Sequence, residues 1–254
     1  MVLHMNQEEQ WLLKEKYNGE KCEAFFTDLE LLQSGTPLAY LIGSIPFLGC
    51  TIHLNSHPLI PRPETEFWTE KAINTIITFI KSLPENKTSN VLDLCAGSGA
   101  IGVAVAKNIP IAQVTFGEID QAHLPTIKKN LIVNNIPSAQ CKVIGSDLFT
   151  HISGKFDFIL SNPPYINPEI DRTELSVKEF EPHEALYGGK DGMEYINQII
   201  ELSHFHLEKH GQLWIEHEPE QTIQIQAYAE KSNFACTTKL DQYGVERYSI
   251  LVLQ

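Results

Sequence analysis

From Asn90 onward the chain alternates short apolar runs with longer segments in which apolar residues recur every three or four positions. VLDLC, QVTFGEI, CKVIGSD and FDFILSN are runs of strand length. Between the first of them stand GSGAIGVAVAKN and HLPTIKKNLIVNN, whose spacing predicts helices. GMEYINQIIELSHFHL is amphipathic at the helical period. QLWIEHE, FACTTKL and RYSILVL then close the chain as strands around a helix near Gln221–Lys231. Strands alternating with helices of this length predict an α/β, doubly wound, mostly parallel seven-stranded sheet. Ligands of such sheets bind beyond the carboxyl ends of the strands, so the chemistry is expected there.

Ahead of Asn90 the pattern differs. Residues 6–34 read as two short helices, with Asn6 as an N-cap and Gly35 where a helix ends. Tyr40 to Ile60 mixes β-branched and aromatic residues with Gly43, Pro46, Gly49 and Asn55, which predicts a β-hairpin or short extended pieces. Pro63 opens a helix, PETEFWTEKAINTIITFI, with Glu64 and Glu66 in the first turn, where the helix dipole favours acids. The polar stretch from Pro84 to Asn90 is a linker. The expected organisation is a short helical segment (1–36), a hairpin linker (37–62) and one large domain (63–254).

The 254 residues are 43% hydrophobic, enough for one sizeable core and too apolar for a disordered chain. No apolar run spans a membrane, and the start, MVLHMNQEEQWLLKEKYN, lacks the pattern of a signal peptide, so a cytoplasmic protein without a membrane partner is expected. Five cysteines without a CxxC spacing imply reduced thiols rather than a disulfide framework or a zinc site. His204, His206 and His210 lie close in sequence, but no carboxylate or cysteine completes a ligand set, and no metal is expected. The net charge of −13 turns the expected substrate from nucleic acid toward protein or a small molecule.

Gly97, Gly99 and Gly102 spell GxGxxG directly after the first strand of the large domain. Glycines there let the backbone turn tightly and approach a ligand closely. Glu118 ends the next strand, about 20 residues on, the place from which an acid grips ribose hydroxyls. This pattern fits a nicotinamide cofactor and S-adenosylmethionine alike. Asp93 separates them. A carboxylate four residues before Gly97 repels a pyrophosphate on the loop but attracts the ammonium and sulfonium of S-adenosylmethionine. A role in capping loop amides is compatible with this. At Ser146-Asp147-Leu148-Phe149 an acid is placed to accept from an adenine amino group, with Leu148 and Phe149 to cover the ring.

The fourth strand runs into Asn162-Pro163-Pro164-Tyr165. Two prolines fix φ and remove two backbone donors, leaving a stiff turn that presents acceptors: the Asn162 side-chain oxygen and the Pro163 carbonyl. An amide or exocyclic NH2 group offers two donors while its lone pair is tied up in resonance. Two rigid acceptors hold both N–H bonds and favour rehybridisation as a methyl group arrives, with no strong base needed. Tyr165 supplies an aromatic face for the planar substrate.

The chain resembles the peptide chain release factor glutamine methyltransferases, the HemK/PrmC family, from about Pro37 to the C-terminus. The resemblance rests on PLAYLIG, LIPRPETE, VLDLCAGSGAIG, SDLF, SNPPYI, EPHEALYGGKDGMEYINQII and DQYGVERYSILVL. NPPY alone is shared with adenine and cytosine amino-methyltransferases, whereas IPRPETE and the EPxxALxGGxDG block are much more specific. The resemblance implies a class I, Rossmann-like methyltransferase domain. It implies that Cys95, Ala96, Gly97, Ser98, Gly99, Glu118, Leu148 and Asn162 line the cofactor, beside the Asp93 and Asp147 read above. It implies that Asn162, Pro163, Pro164 and Tyr165 hold a glutamine side chain, with Arg62 and Glu66 as braces. Asn162, Pro163 and Tyr165 are the candidate catalytic residues. The substrate implied is the glutamine of the GGQ loop in class I release factors. Two departures stand out: Glu118 where the family carries Asp, and Glu216-His217-Glu218 where the family reads EIG. Two other readings remain beside this one. One is an amino-methyltransferase acting on a ribosomal protein glutamine or on adenine, the latter wanting a basic groove that is not visible. The other is a silent cofactor-binding interaction module.

Overall fold

The carboxyl-terminal two-thirds of the chain builds a seven-stranded sheet with β3 (Asn90–Leu94) in its interior, a strand buried at four of its five positions. The structure is a computed structural model that describes residues 5–85 and 87–254. Residues 1–4, part of the N-terminal reading above, and Asn86 in the linker lie outside the described residues. With β4 (Gln113–Glu118), β5 (Cys141–Gly145), β6 (Phe156–Ser161), β7 (Leu207–Glu216), β8 (Phe234–Leu240) and β9 (Glu246–Leu253), the order across the sheet is β5-β4-β3-β6-β7-β9-β8. The first five are mutually parallel, and β9 runs antiparallel to both neighbours. The order reverses at β3, between β4 and β6, so the loops after these strands share one crevice.

Helices cover both faces. On one side α4 (Pro63–Ser82) lays Trp68, Ala72, Ile73 and Ile76 on the sheet, and α5 (Ala100–Asn108) is buried from Ala100 through Ala106. On the other, α8 (Glu194–His206) and α9 (Thr222–Lys231) contribute Ile196, Ile199, Ile200 and Ile225. α4 begins as its sequence predicts, with Pro63 at the first position and Glu64 and Glu66 in the first turn.

The amino-terminal part holds α1 (Gln7–Glu15), α2 (Glu23–Gln33) and α3 (Leu38–Ile42) around Leu12, Phe25 and Leu41. Asn6 and Glu9 form a reciprocal cap on α1, each bond 2.9 Å. The hairpin of β1 (Ser44–Phe47) and β2 (Cys50–His53) follows. α3 stands in the segment read as extended, because five residues are too few to display a helical period. The hairpin is stitched to α6 (His123–Val133) and its end by two side-chain amides. Asn130 accepts from His53 N and donates to His53 O, and Asn134 does the same with Thr51. Asn130 also donates to Ser98 O at 2.9 Å, tying hairpin, helix and glycine loop together.

His217, directly after β7, is fully buried, with one ring nitrogen 2.9 Å from Glu218 O and the other 2.8 Å from Ser249 Oγ. Burial pushes its pKa from 6.5 down to about 4. Below pH 6.5 the unfolded chain takes up a proton that the folded ring refuses, so stability falls as pH drops toward 4. The loss through this residue is expected to reach about 2 kcal/mol by pH 5. Denaturant unfolding of the wild type and of His217→Leu at pH 7.5 and pH 5 checks this. Equal losses in the two proteins would show that the buried ring protonates without unfolding.

Candidate functional site

The loops leaving β3, β4 and β6 meet at the point where the strand order reverses. After β3, Cys95, Gly97 and Gly99 all take positive φ (60°, 54° and 78°), which folds the loop back on itself before α5. Gly99 N donates to Ala96 O and Ala96 N to Gly117 O, anchoring the loop to β4. Ala96, Ser98 and Gly99 are buried, and Cys95 and Gly97 are partly open.

Glu118 ends β4 with its carboxylate on the same loop: Oε2 accepts from Gly97 N at 2.6 Å and Oε1 from Asp120 N at 2.8 Å. The expected ribose acid is therefore also the clamp of the glycine turn. Asp93, fully buried, accepts from Gly102 N through Oδ2 at 2.8 Å, while its Oδ1 has no partner. Burial raises the Asp93 pKa well above the usual carboxylate range and the charge of Glu118 adds to this, against the Gly102 N–H. A positive group arriving here would favour the charged form of Asp93.

After β5, the Ser146 hydroxyl donates to Leu148 O and accepts from His151 N, which folds Leu148 into positive φ. Asp147 is exposed beside it. Phe149 does not cover the crevice: it is turned into the core, stacked on His206 with centroids 4.6 Å apart. That stacking also accounts for one of the three neighbouring histidines. Among the described residues no group of three or more His, Cys, Asp or Glu side chains is placed to hold a metal ion.

Asn162 follows β6. Its Nδ2 donates to Thr65 Oγ1 at 3.3 Å, and its Oδ1 is buried without a partner. Tyr165 donates its hydroxyl to Glu216 Oε1 at 2.9 Å, and Glu216 Oε2 accepts from Thr65 Oγ1 and Trp68 Nε1 at 2.7 and 2.6 Å. Burial raises the Glu216 pKa against these three donors, and burial with the Glu216 charge raises that of Tyr165. The loop backbone is supported from behind. Ile166 N donates to Leu186 O, Gly188 N to Ile166 O, and Gln221 Nε2 to Tyr165 O. At Gly188 an added Cβ would stand 2.6 Å from Pro164 O, so this glycine is required by close approach of two backbones.

Asn162 and Tyr165 line a cavity of about 540 Å³ together with Arg62, Asp191, Glu218 and Gln221. Arg62 pairs with the buried Glu181 at 2.6 Å, and Glu181 also accepts from Ile60 N. Glu66 faces elsewhere: it accepts from Leu48 N of the hairpin at 2.7 Å and does not line the cavity. Arg62 and Glu66 thus brace two different contacts. Thr65, Trp68, Glu216 and Gln221 were not singled out from the sequence; Thr65 lies inside the IPRPETE motif and Glu216 inside the stretch compared with EIG, which were the available signals.

A family model described as methyltransferase small domain matches residues 74–180. Curated relatives named release factor glutamine methyltransferase align over most of the chain. The one from Streptococcus pneumoniae is 37% identical over 209 residues, covering 80% of this chain and 70% of the relative. That from Flavobacterium psychrophilum is 34% identical, covering 87% and 77%. That from Clostridium botulinum is 31% identical, covering 81% and 71%. Among solved structures, a ribosomal protein L11 methylase from Lactobacillus delbrueckii subsp. bulgaricus superposes with a TM-score of 0.53 at 18% identity, over 78% of this chain and 81% of the other. A 16S rRNA N2 G1207 methyltransferase from T. thermophilus, in complex with AdoMet and guanosine, does so with a TM-score of 0.54 at 18% identity, over 83% and 50%. At these identities the structures establish the fold alone.

Proposed function

The chain belongs to the release factor glutamine methyltransferase family, and on that premise we propose that it transfers a methyl group from S-adenosylmethionine to the glutamine side-chain amide in the GGQ loop of class I release factors. The observation that carries the reading is Asn162, a residue lining the cavity: its NH2 is occupied by Thr65, and its oxygen is a buried acceptor without a partner. A primary amide is the substrate that such an acceptor wants.

The residues present fit S-adenosylmethionine. Asp93 has an unpaired buried oxygen, the charge of Glu118 lies close enough to act on it, and the loop after β3 folds back through three positive-φ residues. Asp93, the Cys95-to-Gly99 loop, Glu118, Asp147, Leu148 and Asn162 are the residues that would hold it. When bound it supplies an electrophilic methyl group on a cationic sulfur. The chain's own part is positioning. Asn162 Oδ1 and the Pro163 carbonyl accept the two N–H bonds of the glutamine amide, turning its nitrogen toward the methyl group. On taking that methyl group, with the sulfur–methyl bond breaking and the sulfur leaving as a neutral thioether, the nitrogen would lose lone-pair resonance, its N–H bonds would grow more acidic, and both acceptors would bind them more strongly. The nitrogen then gives up one proton, which water can take, because an N-protonated amide is a strong acid. Tyr165, held by Glu216, stands at the cavity wall beside the substrate plane. No described helix is long and apolar enough to cross a membrane.

The deciding experiment is methyl transfer from S-adenosylmethionine to a purified class I release factor, with a ribosomal protein and adenine-containing DNA as competing substrates. Transfer to either competitor and not to the factor would reject the reading, and transfer to none would favour a silent binding module. Calorimetric titration with S-adenosylmethionine and NAD tests the cofactor. In the same titration Glu118→Ala is expected to weaken S-adenosylmethionine binding about ten- to a hundredfold, since it removes a charge-assisted acceptor and frees Gly97 N. An unchanged dissociation constant at equal melting temperature would remove Glu118 from the cofactor site.

A further inference from the structure

We propose that Glu216, acting through Thr65, fixes which way round the Asn162 amide stands, so that its oxygen and not its nitrogen faces the substrate. The inference rests on the function proposed above and concerns residues that do not themselves touch the reacting atoms. The two ends of an asparagine amide are nearly isosteric, and hydrogen bonding decides between them.

Here the decision runs along a chain of three groups. Trp68 Nε1 is only ever a donor, and it lies 2.6 Å from Glu216 Oε2. Glu216 Oε2 is therefore an acceptor. Thr65 Oγ1, 2.7 Å from the same oxygen, spends its single proton there. The Thr65 oxygen has only lone pairs left, and the Asn162 atom 3.3 Å away must donate. The Asn162 NH2 is thereby directed at Thr65, and Oδ1 is left as the free acceptor. With the amide reversed, oxygen would face oxygen at Thr65, and two N–H groups would meet the two N–H groups of a glutamine amide.

The fold supplies each member from a different element. Thr65 and Trp68 are three apart on the first turns of α4, so they share a face. Glu216 is the last residue of β7, and Ser161 pairs with Ile215, which brings the residues after them side by side. Thr65 and Glu216 are 2% and 1% exposed, so water does not compete for these bonds. The second oxygen of Glu216 accepts from Tyr165, so one carboxylate orients both ends of the Asn-Pro-Pro-Tyr turn.

Single-turnover methylation of purified release factor by the full-length enzyme tests this with Thr65→Val and Thr65→Ser. Thr65→Val keeps the shape and loses the relay. It is expected to lower kcat about tenfold or more while KM for the factor, cofactor affinity and melting temperature stay close to wild type. Thr65→Ser keeps the hydroxyl and is expected to stay within about threefold of wild type. Wild-type kcat in Thr65→Val, or a Thr65→Ser as impaired as Thr65→Val, would overturn the proposal. A wild-type enzyme that does not methylate the factor would instead reject the substrate assignment. In that event NMR of the Asn162 side-chain amide decides the orientation. A hydrogen-bonded N–H that is lost in Thr65→Val upholds it, and an amide indifferent to the substitution overturns it.

Discussion

Asn162→Ala is expected to lower the single-turnover methylation rate about 10²- to 10³-fold at saturating cofactor, while changing cofactor affinity far less. The cofactor's proposed holders are spread over the glycine loop, Glu118 and the turn after β5, so one side chain at the edge of that set contributes little to its binding. The glutamine amide has fewer partners. Its lone pair is delocalised, and in the proposed arrangement the Asn162 oxygen and Pro163 carbonyl alone hold its two hydrogens in line with the methyl group. Removing one acceptor leaves a polar N–H unpaired in a closed site and frees the amide to rotate. Asn162→Asp fails for a different reason. It keeps an acceptor but sets a negative charge beside the sulfonium, which stabilises the ground state before the positive charge is dispersed. It also loses the N–H that Thr65 accepts. A variant Asn162→Ala that keeps more than about a tenth of the wild-type rate would remove the Asn-Pro-Pro-Tyr turn from catalysis.

The elements that carry a local signal were legible in the sequence. The strand-loop-helix around Gly97, the acid ending β4 and the stiff turn after β6 each follow from residues within a few positions of one another. Asn6, Pro63 and the seven strands are placed as the hydrophobic pattern and capping residues predict. What was not legible is what depends on contacts across the fold. Glu216 meets Thr65 across 151 residues and Trp68 across 148, and no period or spacing links them. The partners of Arg62 and Glu66 escaped for the same reason. Both side chains are charged and stand four residues apart at the helix start, yet each is taken by a distant group, Glu181 in one case and Leu48 N in the other. Phe149 reads from sequence as equally suited to cover an adenine or fill a core, and the nearby His206 draws it inward. α7 (Leu175–Phe180), like α3, is shorter than the pattern needed to announce a helix.

The EPHEALYGGKDG block is legible as a motif, but its purpose emerges only from packing, and it yields the second large effect. Gly188→Ala is expected to lower the methylation rate about a hundredfold with cofactor binding nearly intact. Gly188 touches neither the glutamine amide nor the cofactor in the proposed arrangement. A Cβ at this position would stand 2.6 Å from Pro164 O and 2.8 Å from Tyr165 Cα, both backbone atoms, and 2.5 Å from Gly192 O on its other side. No side chain can rotate out of the way, so one of the two backbones must move. Gly188 N also donates to Ile166 O, so movement loosens the hydrogen bond that holds the end of the turn. A shift of the order of 1 Å in the Asn-Pro-Pro-Tyr turn takes its acceptors out of line, and misplacement on that scale is worth about 10² in rate. The glycine turn follows β3 and Glu118 ends β4, on the far side of the crevice from Gly188, and they are not expected to move with it. Gly154→Ala is the control, since an added Cβ there meets nothing within 4 Å and only the positive φ is strained. Single-turnover rates and cofactor titration on both variants, read beside their melting temperatures, check this. A Gly188→Ala enzyme at more than about a tenth of the wild-type rate would mean that the turn holds its geometry without the block behind it.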